Sequence, residues 1–217
     1  MRARSPIESS RSDATRRRVL ESACYLFSAG GLQGTHVRDV GDRAGVNTAV
    51  LYYHFRSKEG LYKAVIRETA RQLTAAAAEA GSGPANKGPE ARLCSIVESL
   101  LQKLGEKGAW IARVLAHELA APTGDAGSAL ATGAGGYSVH LRGAIGEMLG
   151  AEADRQSVRL CTVSVVGQCV ACCLAAKNHR RAFRPLLTPL PAREKLARHI
   201  VSLSLGTLRR PYYAQPR

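Results

Sequence analysis

Aromatic side chains are scarce in this 217-residue chain: 5% of the sequence, with a single Trp. An aromatic-rich core is thereby excluded. Leu, Val, Ile and Ala must build it instead, and an apolar content of 45% supplies enough of them. No run of about 18 uninterrupted apolar residues occurs, so no transmembrane helix is expected. The leading residues, MRARSPIESSRSDATRRR, lack the apolar stretch of a signal peptide, which points to a cytoplasmic protein. There is no G-x-S-x-G, P-loop, H-E-x-x-H or Gly-rich dinucleotide turn. The chain is therefore not expected to be an enzyme, and neither a catalytic residue nor a cofactor is predicted.

Acidic residues are also few: 17 Asp and Glu against 31 Lys and Arg, a net charge of +14. That balance favours a polyanionic partner. The excess is uneven. Residues 1–73 hold 13 basic and 7 acidic side chains, residues 74–176 hold 8 and 9, and residues 177–217 hold 10 and 1. A near-neutral, core-forming middle thus lies between two basic ends. The six cysteines fit reduced, buried thiols better than a disulfide framework, since four of them fall in one helical run. Cys161, Cys169, Cys172 and Cys173 invite a metal or redox reading, but no second Cys/His pair stands at a suitable spacing. No metal site is predicted.

Residues 1–12 are rich in Arg and Ser without an apolar period, and are expected to form a disordered basic arm. A helix begins at Asp13. Val19, Leu20, Ala23, Cys24, Leu26 and Phe27 give it one apolar face, and Gly30-Gly31 ends it.

The stretch Thr35 to Phe55, THVRDVGDRAGVNTAVLYYHF, reads as two short helices joined by a tight turn. Thr35 is the expected N-cap of the first, from about His36 to Ala44, with Val37, Val40 and Ala44 inward. Gly45 permits the turn, and Asn47 caps the second helix, Thr48 to Phe55. At 100° per residue Val50, Leu51, His54 and Phe55 share one side, and Thr48, Ala49, Tyr52 and Tyr53 the other. Leu51 and Phe55 are core anchors. The opposite face offers a hydroxyl, a methyl and two phenols, groups that suit thymine methyls, base edges and phosphate oxygens. The competing reading is that a tyrosine merely packs on a neighbouring helix. Ser57 caps a further helix whose N-terminus, with Lys58, forms an anion site suited to a DNA phosphate. That helix runs to about Ala80, roughly 35 Å at about 1.5 Å per residue, long enough to link two domains mechanically.

The run from about Arg16 to Leu73 resembles the DNA-binding domain of the TetR family of bacterial transcriptional regulators. The resemblance rests on the A-x-x-L-F-x-x-x-G run, the A-G-V turn, the L-Y-x-H-F helix and the S-K-E-x-L start of the fourth helix. It implies a helix-turn-helix domain over residues 13–73. It places Thr35, Tyr53, His54 and Lys58 where relatives touch phosphates, and Thr48, Ala49 and Tyr52 where relatives read bases. Arg38 stands where some relatives reach a guanine, which a guanidinium can contact through O6 and N7. His36 and Asn47, at the openings of the two helices, complete the candidate DNA-binding set. The reading helix has no Arg, Lys or Gln, which makes Arg38 the strong base-reading candidate.

The family resemblance implies that residues 74–217 form a helical ligand-binding and dimerisation domain. GSGPANKGPE, residues 81–90, reads as a loop. The following helix turns Leu93, Ile96, Val97, Leu100, Leu101 and Leu104 inward. WIARVLAHELAA starts at Trp110 and is ended by Pro122. Residues 121–136 read as a mobile loop or as a helix broken near Gly133 to Gly136. The R-x-x-x-x-E-x-x-x-P-T segment, Arg113 to Thr123, and VVGQC, Val165 to Cys169, resemble the C-terminal domain of CecR-like TetR regulators. Trp110, Arg113, His117 and Glu118 are candidate ligand contacts, each also readable as an ordinary core or surface residue. Ser157 to Asn178 is apolar almost all round, and the small residues Gly167, Ala171 and Ala175 recur every four positions. With Leu196, Ile200 and Leu203 of a helix spanning Ala192 to Leu208, they form the expected dimer interface. Packing within one subunit alone is the alternative.

The expectation is an all-α homodimer, with no membrane partner, that binds a palindromic operator in double-stranded DNA and is released by a small molecule. A repressor is the expected sign of regulation. Two rivals are a nonspecific architectural DNA binder, suggested by the charge, and a ligand-binding helical enzyme with a vestigial DNA head.

Overall fold

The computed structural model describes residues 6–81, 88–105, 109–124, 127, 130, 137–150, 154–188 and 190–206, with side chains from Ser10 onward. Among the described residues there are ten α-helices, one 3₁₀ turn and no strand. In chain order they are α1 (Pro6–Gly30), α2 (Val37–Ala44), α3 (Thr48–Phe55), α4 (Lys58–Gly81), α5 (Pro89–Gly105), α6 (Trp110–Ala120), α7 (Tyr137–Leu149), α8 (Arg155–Asn178), α9 (Arg180–Phe183) and α10 (Leu190–Gly206). The 3₁₀ turn, Arg184–Leu186, follows α9. The fold is all-α, as expected. The proposed break at Gly133 to Gly136 lies outside the described residues, as does most of the loop expected over residues 81–90.

One expectation is corrected at the start. The arm assigned to residues 1–12 is helical from Pro6 onward. Proline suits the first helical position, because its missing N–H has no intrahelical partner there and its φ is already set. The polar composition that suggested disorder instead solvates the first turns: Arg11, Asp13 and Ala14 are exposed.

Two compact units divide the chain, Met1–Glu68 and Thr69–Arg217, with the division inside α4 and slightly ahead of the expected 73/74 boundary. In the first unit α1 packs chiefly on α2. Val19, Ala23 and Phe27 are fully buried with Val40, Leu51, Leu61 and Tyr62. The Phe27 and Tyr62 rings meet edge to face at 5.0 Å. Burying each such side chain contributes about 1.5–3 kcal/mol.

In the second unit α5 is the hub, packed by α6, α7, α8 and α10. Its six inward apolar residues, Leu93 through Leu104, are all buried, as their spacing required. Facing them are Val165, Val166, Cys169 and Cys173 of α8, and Ala197, Ile200 and Val201 of α10. Asp154 starts α8, its carboxylate accepting the Ser157 backbone N–H at 2.7 Å. That bond, with the Ser157 hydroxyl, holds the Asp154 carboxyl below its ordinary range. An 18-residue window of α8 has a mean hydropathy of 1.8, so by length and composition alone this helix could cross a membrane. The apolar run is broken too often for an uninterrupted-stretch test yet averages high. Its inward residues pack on α5, α6, α7 and α10 of the same unit, as those of a core helix do.

Candidate nucleic-acid interface

The first unit builds the interface from a chain of local devices. Gly31, at φ 63°, lets the chain leave α1. Gly45, at φ 65° and ψ 41°, supplies the left-handed turn after α2, and its N–H donates to the Asp42 carbonyl at 3.2 Å. The Val46 N–H returns to the Gly41 carbonyl at 3.0 Å. Asn47 then accepts the Ala49 N–H through Oδ1 at 2.9 Å, which fixes where α3 begins. Gly60 sits so close to the end of α3 that a Cβ there would collide with the Phe55 carbonyl oxygen.

α3 divides as its spacing predicted. Leu51 and Phe55 are buried. Tyr52 and Tyr53 stand 48% and 53% exposed, so neither is packed away as a core aromatic. Ala49 is exposed beside them, and Thr48 and His54 are half-buried. Tyr53 and His54 meet edge to face at 5.1 Å. Arg38 is exposed on α2. Arg43, by contrast, stacks its guanidinium 3.8 Å over the Tyr25 ring and ties α2 to α1.

Thr35 departs from its expected role. It does not cap α2; the N-cap is His36, which makes no side-chain cap bond. Thr35 is buried, and its hydroxyl lies 2.9 Å from the Gly31 carbonyl and 3.3 Å from that of Leu26. The last carbonyls of α1 need donors, and a hydroxyl satisfying them is turned away from solvent. His36, one residue on, is exposed.

The start of α4 also differs from the open anion site expected. Ser57 Oγ accepts the Gly60 N–H at 3.0 Å. The Glu59 carboxyl is held below its ordinary value first by its own backbone N–H and then by the Ser57 hydroxyl. Those donors are thus engaged within the chain, and Lys58 is left as the principal cation there. Its ammonium donates to the Gln33 carbonyl at 3.4 Å, an orienting contact that sequence spacing does not reveal.

In the second unit the four candidate ligand residues lie along α6. Trp110 is buried, Arg113 and His117 are half-buried, and Glu118 is fully buried. Glu118 faces the chain itself: its carboxylate accepts the Thr123 N–H at 2.8 Å and the Thr123 hydroxyl at 2.8 and 3.0 Å. A side chain at Gly127 would run into the same carboxylate. Glu118 therefore serves the turn after α6 and is not directed at a ligand. The buried Nε of Arg113 has no hydrogen-bond partner among the described residues.

Of the expected dimer residues, Ala171 and Leu203 are exposed, and Gly167, Ala175 and Leu196 are half-buried. Ile200 is buried at 1% and belongs to the core of the second unit, a correction to the expected stripe. Sequence reasoning missed Leu160 and Val163, exposed at 53% and 41% on α8. With Gly167 and Ala171 they recur at three- and four-residue steps, a stripe hidden in the sequence by the apolar residues around the rest of the helix.

Four of the six cysteines, Cys24, Cys161, Cys169 and Cys173, are buried. Cys161 donates to the Ser204 carbonyl at 3.1 Å, and Cys173 to that of Leu101 at 3.6 Å. Burial pushes the Cys161 thiol up to about 11 and that of Cys173 to about 12.

Comparison with known proteins agrees with this architecture. Residues 19–65 match the family described as bacterial regulatory proteins, tetR family. Residues 89–208 match the C-terminal domain of the HTH-type transcriptional dual regulator CecR. The HTH-type transcriptional repressor KstR2 of Mycolicibacterium smegmatis is 42% identical over 50 residues, covering 23% of this chain and 24% of that protein. The HTH-type transcriptional regulator BetI of Cronobacter sakazakii is 31% identical over 83 residues, 38% of this chain and 41% of that protein. The chain thus spans less than half the length of these curated relatives. Among solved structures, the transcriptional regulator FadR of Bacillus subtilis, in complex with stearoyl-CoA, superposes with a TM-score of 0.68 at 16% identity, covering 88% of this chain and 98% of that one. A tetR-family regulator from Streptomyces coelicolor gives 0.64 at 17%, over 90% of this chain and 82% of that one. At such identities the structural likeness establishes the fold. The matched helix-turn-helix and the C-terminal domain, which alone exceeds half the sequence, establish that the chain belongs to the TetR family of bacterial regulatory proteins, with a C-terminal domain of the CecR type.

Proposed function

We propose that this regulator binds a palindromic operator as a homodimer, represses from it, and is released by a small molecule. The observation that carries the reading is the pair of exposed phenols on α3, Tyr52 and Tyr53, set opposite the buried anchors Leu51 and Phe55. Exposing two large aromatics side by side forfeits burial energy, which a groove-facing surface would recover on binding. Thr48, Ala49 and Tyr52 read bases in this arrangement. Tyr53, His54 and Lys58 hold phosphates, with His36 beside them, and Arg38 takes a guanine from α2. Thr35 contributes through position alone, since its hydroxyl is turned inward.

Two-fold pairing uses the exposed faces of α8 and α10: Leu160, Val163, Gly167, Ala171 and Ala175 with Leu196 and Leu203. The operator is then a palindrome with half-sites about 34 Å apart, one turn of DNA. The effector binds among the helices of the second unit near Trp110, Arg113 and His117. It acts by its differential affinity for two states of the dimer, only one of which matches the half-site spacing.

Selection of bound sequences from a random DNA pool tests this directly. An enriched inverted repeat is the expected result. Equal retention of scrambled DNA would instead support an architectural binder. Screening ligands for release of the selected DNA then tests the switch, and turnover of a releasing ligand would favour the enzyme rival.

A further inference from the structure

The basic excess beyond residue 176 is not used by the DNA-binding reading, and part of it converges on a cavity. A space of about 390 Å³ opens in the second unit where α5 and α8 end and α9 begins. Lys177, Arg180, Arg184 and Arg193 line it, over an apolar floor that includes Leu101 and Leu187. Four cations gathered on one cavity favour an anionic occupant. Among the described residues they form one ion pair, Arg193 Nε with the Glu98 carboxylate at a long 3.6 Å. That Nε is also buried without a hydrogen-bond partner. Desolvation, then the charge of Arg113, holds the Lys177 ammonium below its ordinary range.

Geometry adds to charge. Arg180 opens α9 and Arg184 begins the 3₁₀ turn that follows it, and both line the cavity, while Lys177 and Arg193 come from the helices on either side. Guanidinium groups approaching from several directions suit the tetrahedral oxygens of phosphate, which accept paired N–H donors. The volume falls in the range of small-molecule sites.

We propose that this cavity binds a small organic diphosphate, its anionic groups held by Lys177, Arg180, Arg184 and Arg193 and its carbon portion resting on Leu101 and Leu187. The assignment concerns binding, and it stands whether or not the occupant releases DNA.

Inorganic pyrophosphate serves as the probe, titrated into the full-length protein by calorimetry, with sodium chloride at matched ionic strength and citrate as comparisons. Saturable pyrophosphate binding is expected, weakened about tenfold or more in the double variant Arg180→Ala/Arg184→Ala. Both side chains are exposed, so the fold should persist, which circular dichroism checks. The control is Arg155→Ala/Arg159→Ala at the far end of α8, which should bind as the parent does. Equal loss in the control would reduce the effect to bulk charge and overturn the site. Preference for citrate would overturn the phosphate assignment. Undiminished pyrophosphate binding with weakened DNA binding in Arg180→Ala/Arg184→Ala would assign these arginines to DNA instead.

Discussion

Thr123 gives both its backbone N–H and its hydroxyl to a single fully buried carboxylate, that of Glu118, at 2.8 Å each. The pair closes the turn that follows α6. Glu118→Ala leaves those donors without their acceptor and should cost about 1–3 kcal/mol, seen as a lower midpoint in urea unfolding. A ligand-binding role without structural weight predicts instead an unchanged midpoint and weaker effector release.

Asn47→Ala removes the acceptor that starts α3. The expected loss is about 1 kcal/mol, concentrated in α3. Hydrogen exchange of the Ala49 and Val50 amides should quicken while that of α5 amides does not change. Affinity for every DNA sequence should fall together, because the reading face is displaced as a body.

Arg38→Ala should cost about 1–3 kcal/mol at the operator and relax preference at one base pair per half-site. Competition with operator variants at that position measures it. A uniform loss across all base pairs would make Arg38 a phosphate contact.

Lys58→Ala should weaken all sequences alike and lower the salt slope of binding by about one. The small size follows from the engaged donors at the start of α4, which leave one charge, that of Lys58, to act. A change in the preferred sequence would remove Lys58 from the phosphate set.

The buried thiols predict an alkaline limit. Burial raises Cys24 and Cys173 from 9.0 to about 12 in the folded protein. The unfolded chain therefore releases these protons first as pH rises. The stabilisation is complete below about pH 9 and lost progressively towards pH 12. Denaturation midpoints across that window should fall accordingly. Alkylation of native protein should reach the half-buried Cys94 and Cys172 well before the fully buried Cys169.

What the sequence disclosed, and what it hid, follows from the range of the forces. The bounds of α3 and the split between Leu51/Phe55 and Tyr52/Tyr53 were legible, because a cap and a helical period act within a few residues. The inward row of α5 was legible for the same reason. Ile200 was not: its period marks an apolar stripe, but only packing of α10 on α5 decides which part faces the core. Thr35 looked like a cap because its alternative acceptors, the carbonyls of Leu26 and Gly31, lie in and just after the preceding helix. α9 and the 3₁₀ turn are too short to show a period, so the convergence of Arg180 and Arg184 on one cavity was invisible.

The scarcity of aromatics has a practical result. The single indole, Trp110, is buried on α6 in the second unit, whereas the exposed phenols of α3 lie in the first. Selective indole excitation therefore observes the second unit alone, with no label. Effector binding can be followed by that emission while fluorescent DNA reports operator occupancy through anisotropy. One sample thus yields two independent optical signals, and their order in time after mixing reveals which event leads.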